Sequence, residues 1–189
     1  MTSPSTPSQT VGPFFHLALQ KLERNDIAAS ATSGERITIR GRVLDGDGAG
    51  VCDAMLELWQ ADATGDFPEP AGVREVSESK RSRGFGRVFM DANGGFEFTT
   101  LKPGRVSGPH GILQSPHIVV MVFSRGLLKP LLSRIYFPDE PSNEEDHILN
   151  LIPRERRGTL VARRRHGAGN VLEWNVILQG DAETVFFDC

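Results

Sequence analysis

Ser115-Pro116-His117-Ile118-Val119-Val120-Met121-Val122-Phe123 is a β-branched, apolar run with one histidine near its head. It is too short for a free-standing helix and is closed by the turn-like Ser124-Arg125-Gly126. A buried β-strand is the expectation. Working outward, further strands are expected on both sides. Ile37 to Leu44 alternates with period two and ends in the turn Asp45-Gly46-Asp47-Gly48. Ala54 to Ala61 also alternates, with Met55, Glu57 and Trp59 on one face and Leu56 and Leu58 on the other. Phe85 to Met90 and Phe96 to Leu101 flank the turn Asp91-Ala92-Asn93-Gly94-Gly95 and read as a hairpin. Leu131 to Phe137, Thr159 to Ala162 and Val171 to Leu178 complete the set. Many short strands joined by glycine-rich turns predict an all-β protein, a β-sandwich. One or two short helices are expected, one of them over Asp146 to Leu151, entered through a capping box at Ser142-Asn143-Glu144-Glu145.

The segments between the strands carry their own expectations. Residues 1–9 are rich in Ser, Thr and Pro and read as a tail. Thr10-Val11-Gly12-Pro13-Phe14-Phe15 breaks that pattern and reads as an arm that docks on something. Residues 16–34 read as a connecting loop, and 62–83 as a long polar loop of the kind that usually has a function or a covering partner. No repeat or linker divides the chain, so residues 1–189 are expected to form one domain, with 1–15 as its docking arm.

Composition excludes several classes. The 189 residues are 39% hydrophobic and 24% charged, as in a globular protein with a substantial core. The net charge of −3 outweighs the basic runs Arg154-Glu155-Arg156-Arg157 and Arg163-Arg164-Arg165-His166, so nucleic acid is not an expected partner. Cys52 and Cys189 are too few for a disulfide framework. No run is long enough to span a membrane and no signal peptide opens the chain, so a cytoplasmic location is expected.

Spacing alone identifies no catalytic centre. His16, His110, His117, His147 and His166 include no His-x-His or His-x-x-x-His pair. His117 is readable as a hydrogen-bonded core histidine or as a lone metal ligand. Tyr136, the only tyrosine, is expected in the core. There is no nucleophile elbow and no phosphate loop.

Several segments taken together carry a resemblance. They are Thr6-Pro7-Ser8-Gln9-Thr10-Val11-Gly12-Pro13-Phe14, Leu56 to Gly65 with its Trp59-Gln60-Ala61 core, Thr100-Leu101-Lys102-Pro103-Gly104, Pro116-His117-Ile118, Arg134-Ile135-Tyr136-Phe137, and Gln179 to Asp188. The sequence resembles the intradiol ring-cleavage dioxygenases, from about Thr6 to the end. The resemblance implies a β-sandwich of the intradiol type, paired as an alpha chain with a beta chain. It implies cleavage of a catechol-type acid, protocatechuate, by O2 between the two hydroxyl-bearing carbons. Fe(III), the cofactor, would be held by two Tyr and two His ligands on the beta chain, where the histidines form a His-x-His pair.

In this chain the matching pair reads His117-Ile118-Val119, the position of one ligand tyrosine is Val106, and the 62–83 loop that would supply the other has none. The implied chain therefore binds no metal of its own, and His117 is a vestigial ligand position. It has no catalytic residue of its own. By the same resemblance Thr10, Gly12 and Pro13 wall the neighbouring beta chain's pocket. Phe14 stands where close relatives often have tyrosine, and Arg125 aligns with an arginine that reaches towards the shared pocket. A guanidinium suits an anionic aromatic acid. Two other readings stand beside this one: a self-sufficient dioxygenase with an altered Fe(III) ligand set, and a non-enzymatic β-sandwich binding module.

Overall fold

The computed structural model describes residues 7–28, 33–67, 84–108, 111–165, 167 and 169–188. The expectations for residues 1–6, for 68–83 of the long loop, and for His110, His166 and Cys189 lie outside the described residues. In chain order the strands are β1 (Arg36–Leu44), β2 (Met55–Trp59), β3 (Phe85–Phe89), β4 (Gly95–Leu101), β5 (Val106–Ser107), β6 (Leu113–Gln114), β7 (His117–Phe123), β8 (Leu131–Tyr136), β9 (Arg163–Arg164), β10 (Val171–Glu173) and β11 (Val176–Ile177). The α-helices are α1 (Pro13–Leu19), α2 (His147–Asn150) and α3 (Arg154–Arg157).

One sheet has the order β3-β2-β7-β8 and is antiparallel throughout. In the other, β1 pairs antiparallel with β4 on one side and parallel with β10 and β11 on the other. The inner faces meet in one apolar core that includes Ile39, Val43, Phe98, Leu56, Leu58, Ile118, Val120, Val122 and Ile135. The alternation in each strand explains this: Ile118, Val120 and Val122 face the core, and His117, Val119 and Met121 face out.

Five expectations need correction. Residues 85–101 are not a hairpin, because β3 pairs with β2 and β4 pairs with β1 in the opposite sheet. The turn itself is as expected, with Asp91 Oδ1 accepting from the amides of Asn93 (2.7 Å) and Gly95 (2.8 Å), but it arches between the sheets. Val171 to Leu178 is two strands, not one. The register is kept from Arg40–Glu173 to Val43–Val176, but the ladder lapses at Trp174 and Asn175: the Arg42 amide donates to Asn175 Oδ1 (2.9 Å), and a Cβ on Gly41 would stand 1.6 Å from the Trp174 carbonyl oxygen. Thr159 to Ala162 makes only a single bridge, Val161 to Tyr136, and the strand falls at Arg163–Arg164. Residues 16–34 are not simply a loop: α1 and a 3-10 turn (Gln20–Leu22) occupy the start, and Arg24 and Asp26 bridge to Arg87 and Thr99.

The capping box is also displaced. Ser142 lies inside a 3-10 turn (Pro141–Glu144), and the cap of α2 is Asp146, which accepts from the Leu149 amide. Gln60 gives the Trp59-Gln60-Ala61 segment a structural reason. Buried at the end of β2, it donates to the Leu101 carbonyl (2.9 Å) and accepts from Thr100 Oγ1 (2.7 Å), joining the two sheets. No helix among the described residues is long and apolar enough to cross a membrane.

Candidate functional site

Strand β7 carries candidate residues at both ends. At its head, His117 is directly opposite Tyr136, and Val119 directly opposite Arg134. Opposed residues of an antiparallel pair share a face. These four side chains therefore sit together on the outer side of the sheet, next to Trp59, the β2 partner of Val119.

The polar groups at this end form a connected network. Asp146 is fully buried, and a buried carboxylate needs donors. Its Oδ1 accepts from the Leu149 amide (2.8 Å) and the Tyr136 hydroxyl (3.1 Å), and its Oδ2 from the Ser115 amide (2.7 Å). Arg134 Nη1 donates to Tyr136 Oη (3.3 Å) and to Gln114 Oε1 (2.8 Å), and the guanidinium lies 5.9 Å from the Phe187 ring centroid. Gln114 is held in β6 by pairing with Val106. His117 Nδ1 lies 2.8 Å from the Ser115 carbonyl oxygen. That carbonyl can only accept, so Nδ1 carries the proton and Nε2 the lone pair.

These surroundings keep both rings neutral. Burial, helped by the nearby Arg134 charge, lowers the His117 imidazole to about 4. Burial raises the Tyr136 phenol to about 12, with Arg134 pulling the other way. A metal does not fit this constellation. Among the described residues no group of three or more His, Cys, Asp or Glu could hold one. Val119 and the buried Val106 offer only alkyl groups, and the phenol of Tyr136 is protonated and already engaged.

The other candidates gather at the far end of β7, about 20 Å away at 3.4 Å per residue. The Gly126 amide, with φ at 87°, donates to Thr10 Oγ1 (2.7 Å), so the arm is clamped to the turn that carries Arg125. Gly12 caps α1 in an extended conformation and Pro13 is its first residue, where a missing N–H costs nothing. Phe15 packs on Phe123 (centroids 5.6 Å apart) and His16 meets Phe89 edge-on (4.6 Å). Phe14 points away, 79% exposed. Nothing among the described residues comes within 4 Å of where a Cβ would stand at Gly12. Arg125 is exposed and its Nε bonds to Asp53, which raises its pKa further.

Thr10, Gly12 and Arg125 are thus brought to one end, and His117 is kept apart at the other. Sequence reasoning missed Asp146, Arg134 and Gln114. Asp146 sits in a Glu-Glu-Asp-His run that looks solvated, and no local signal marks it as buried.

Comparison with known proteins follows the same lines. The model of a dioxygenase family, described as "Dioxygenase", matches residues 11–180. The chain is 43% identical to the protocatechuate 3,4-dioxygenase alpha chain of Burkholderia cepacia, over 99% of this chain and 98% of that one. It is 30% identical to the protocatechuate 3,4-dioxygenase beta chain of Burkholderia cepacia, over 94% of this chain and 77% of that one. Among solved structures, 3-chlorocatechol 1,2-dioxygenase from Rhodococcus opacus 1CP superposes with a TM-score of 0.65 at 18% identity, covering 93% of this chain and 67% of that one.

Proposed function

The chain belongs to the dioxygenase family whose model spans its residues 11–180, and from that membership we propose that it is the iron-free alpha subunit of a protocatechuate 3,4-dioxygenase. That enzyme opens the ring of protocatechuate with O2 between the two hydroxyl-bearing carbons, giving 3-carboxy-cis,cis-muconate, and both oxygen atoms enter the product. In this reading the Fe(III) belongs to a beta chain, the complex is cytoplasmic, and residues 1–189 act as one domain.

The observation that carries the reading is the state of the His117 site. A neutral, tethered imidazole shares its face of the sheet with Val119 and a guanidinium. The chain's contribution is then made at the other end of β7. Thr10 fixes the arm, Gly12 presents bare backbone to a neighbouring surface, and Pro13 stiffens the approach. Phe14 offers an exposed ring to the same neighbour, and Arg125 offers a cation suited to the substrate carboxylate. Together they line the pocket of the beta chain.

Two measurements test this. The chain purified alone is expected to hold no iron and to turn over no protocatechuate, and co-expression with a beta chain is expected to give a stoichiometric, coloured, active complex. Stoichiometric ferric iron with its visible charge-transfer band in the lone chain would overturn the reading.

A further inference from the structure

Loss of ligands would by itself leave a neutral, alkyl-lined hollow on the outer face of β7. The structure has something else there. Arg134 projects from the position directly opposite Val119, on the same face as His117. It is held by two hydrogen bonds from one nitrogen, to Gln114 Oε1 (2.8 Å) and Tyr136 Oη (3.3 Å), with Phe187 beneath it. It is partly buried, and it pairs directly with no carboxylate among the described residues. The buried carboxylate of the network, Asp146, accepts from the Tyr136 hydroxyl, and its charge acts on His117 in the opposite sense to that of Arg134 but more weakly. A guanidinium stays charged at any working pH.

We propose that Arg134 is the residue that decides against metal at this position: its fixed positive charge, clamped beside position 119, keeps cations away from His117 even when coordinating side chains are supplied. A cation held by side chains at 117 and 119 would lie within one cross-strand step of the guanidinium. At an effective dielectric constant of about 20, repulsion over such a distance exceeds one tenfold step in affinity. The network also fixes the charge in place, because Gln114 and Tyr136 accept from the same Nη1 and prevent the head group from swinging into solvent. The inference rests on the iron-free reading and adds a cause to it: the site is closed to cations by charge as well as short of ligands.

The test uses the full chain with Co(II) as the probe. Val119→His supplies a second imidazole on the face of His117. This variant is compared with Val119→His/Arg134→Gln, which keeps hydrogen-bonding capacity without charge, and with Val119→His/Arg134→Lys, which keeps the charge. Thermal melting confirms that each is folded, and Arg134→Met replaces Arg134→Gln if the latter is not. Co(II) binding is followed by its visible absorption. The expected result is an affinity about tenfold or more tighter with Gln than with Arg, and no gain with Lys. Equal affinities with Arg and Gln, including no binding in either, overturn the proposal, as does a gain with Lys. Those failures leave the iron-free reading standing, since that reading is decided by the iron content of the unaltered chain.

Discussion

Acid should weaken this fold through His117, and the structure sets the size of the effect. The imidazole is 6% exposed, donates from Nδ1 to the Ser115 carbonyl, and faces the Arg134 charge. Its proton affinity falls from an ordinary 6.5 to about 4 in the fold. Between those values the unfolded chain binds a proton that the native chain does not, so stability rises with pH in that window. The contribution is complete above pH 6.5 and is lost progressively as pH falls towards 4. Relative to pH 8, linkage gives a loss of about 2 kcal/mol at pH 5, approaching about 3 kcal/mol near pH 4. Urea unfolding of the native chain and of His117→Asn at pH 8 and pH 5 isolates the term. Asn preserves a donor to the Ser115 carbonyl and does not titrate, while carboxylate contributions are common to both. The native chain should lose about 2 kcal/mol more than the variant over this interval. Equal losses would mean that His117 is not held neutral, and would refute the account of the site as a buried network that keeps the imidazole uncharged beside Arg134.

Four further outcomes are expected. Tyr136 is the only tyrosine, so absorbance near 295 nm should report it alone; the folded chain should show no phenolate until well above the ordinary value of 10.0, and an ordinary titration would contradict its burial against Asp146. Gly41→Ala should destabilise by several kcal/mol, roughly the upper range of single substitutions, because its Cβ would meet the Trp174 carbonyl oxygen at 1.6 Å; a melting temperature like the native chain's would refute the close approach. In the assembled complex, Arg125→Ala should raise KM for protocatechuate with little change in kcat, whereas Thr10→Ala should release the arm to limited proteolysis; unchanged kinetics and unchanged cleavage would return this end of β7 to ordinary surface.

What was legible in the sequence follows from what is local. The strands at 37–44, 55–59, 117–123 and 131–136 are written in period-two alternation, and the turns at Asp45 and Asp91 in Asp and Gly chemistry. Which sheet a strand joins is not local. A hairpin and an arch between sheets share the same turn signature, so residues 85–101 were open to the wrong pairing. Helix α1 has seven residues and owes its position to Phe15 on Phe123 and His16 on Phe89, contacts with partners more than 70 residues away. The resemblance carries an expectation of missing ligands at the His117 position. The network around His117 was not legible, because Asp146, Gln114 and Arg134 come from separate stretches and only the fold shows them joined.

The placement of β1 has a consequence for the growing chain. It is the central strand of its sheet, clasped by β4 on one side and by β10 and β11 on the other, with Thr38 paired to Val171 and Val43 to Val176. The first partner arrives within some sixty residues, but the second is made only in the last tenth of the chain. Until then one side of β1 is a bare row of backbone donors and acceptors, the template on which strands of other molecules assemble. A product cut short before residue 171 would keep that edge open and is expected to aggregate.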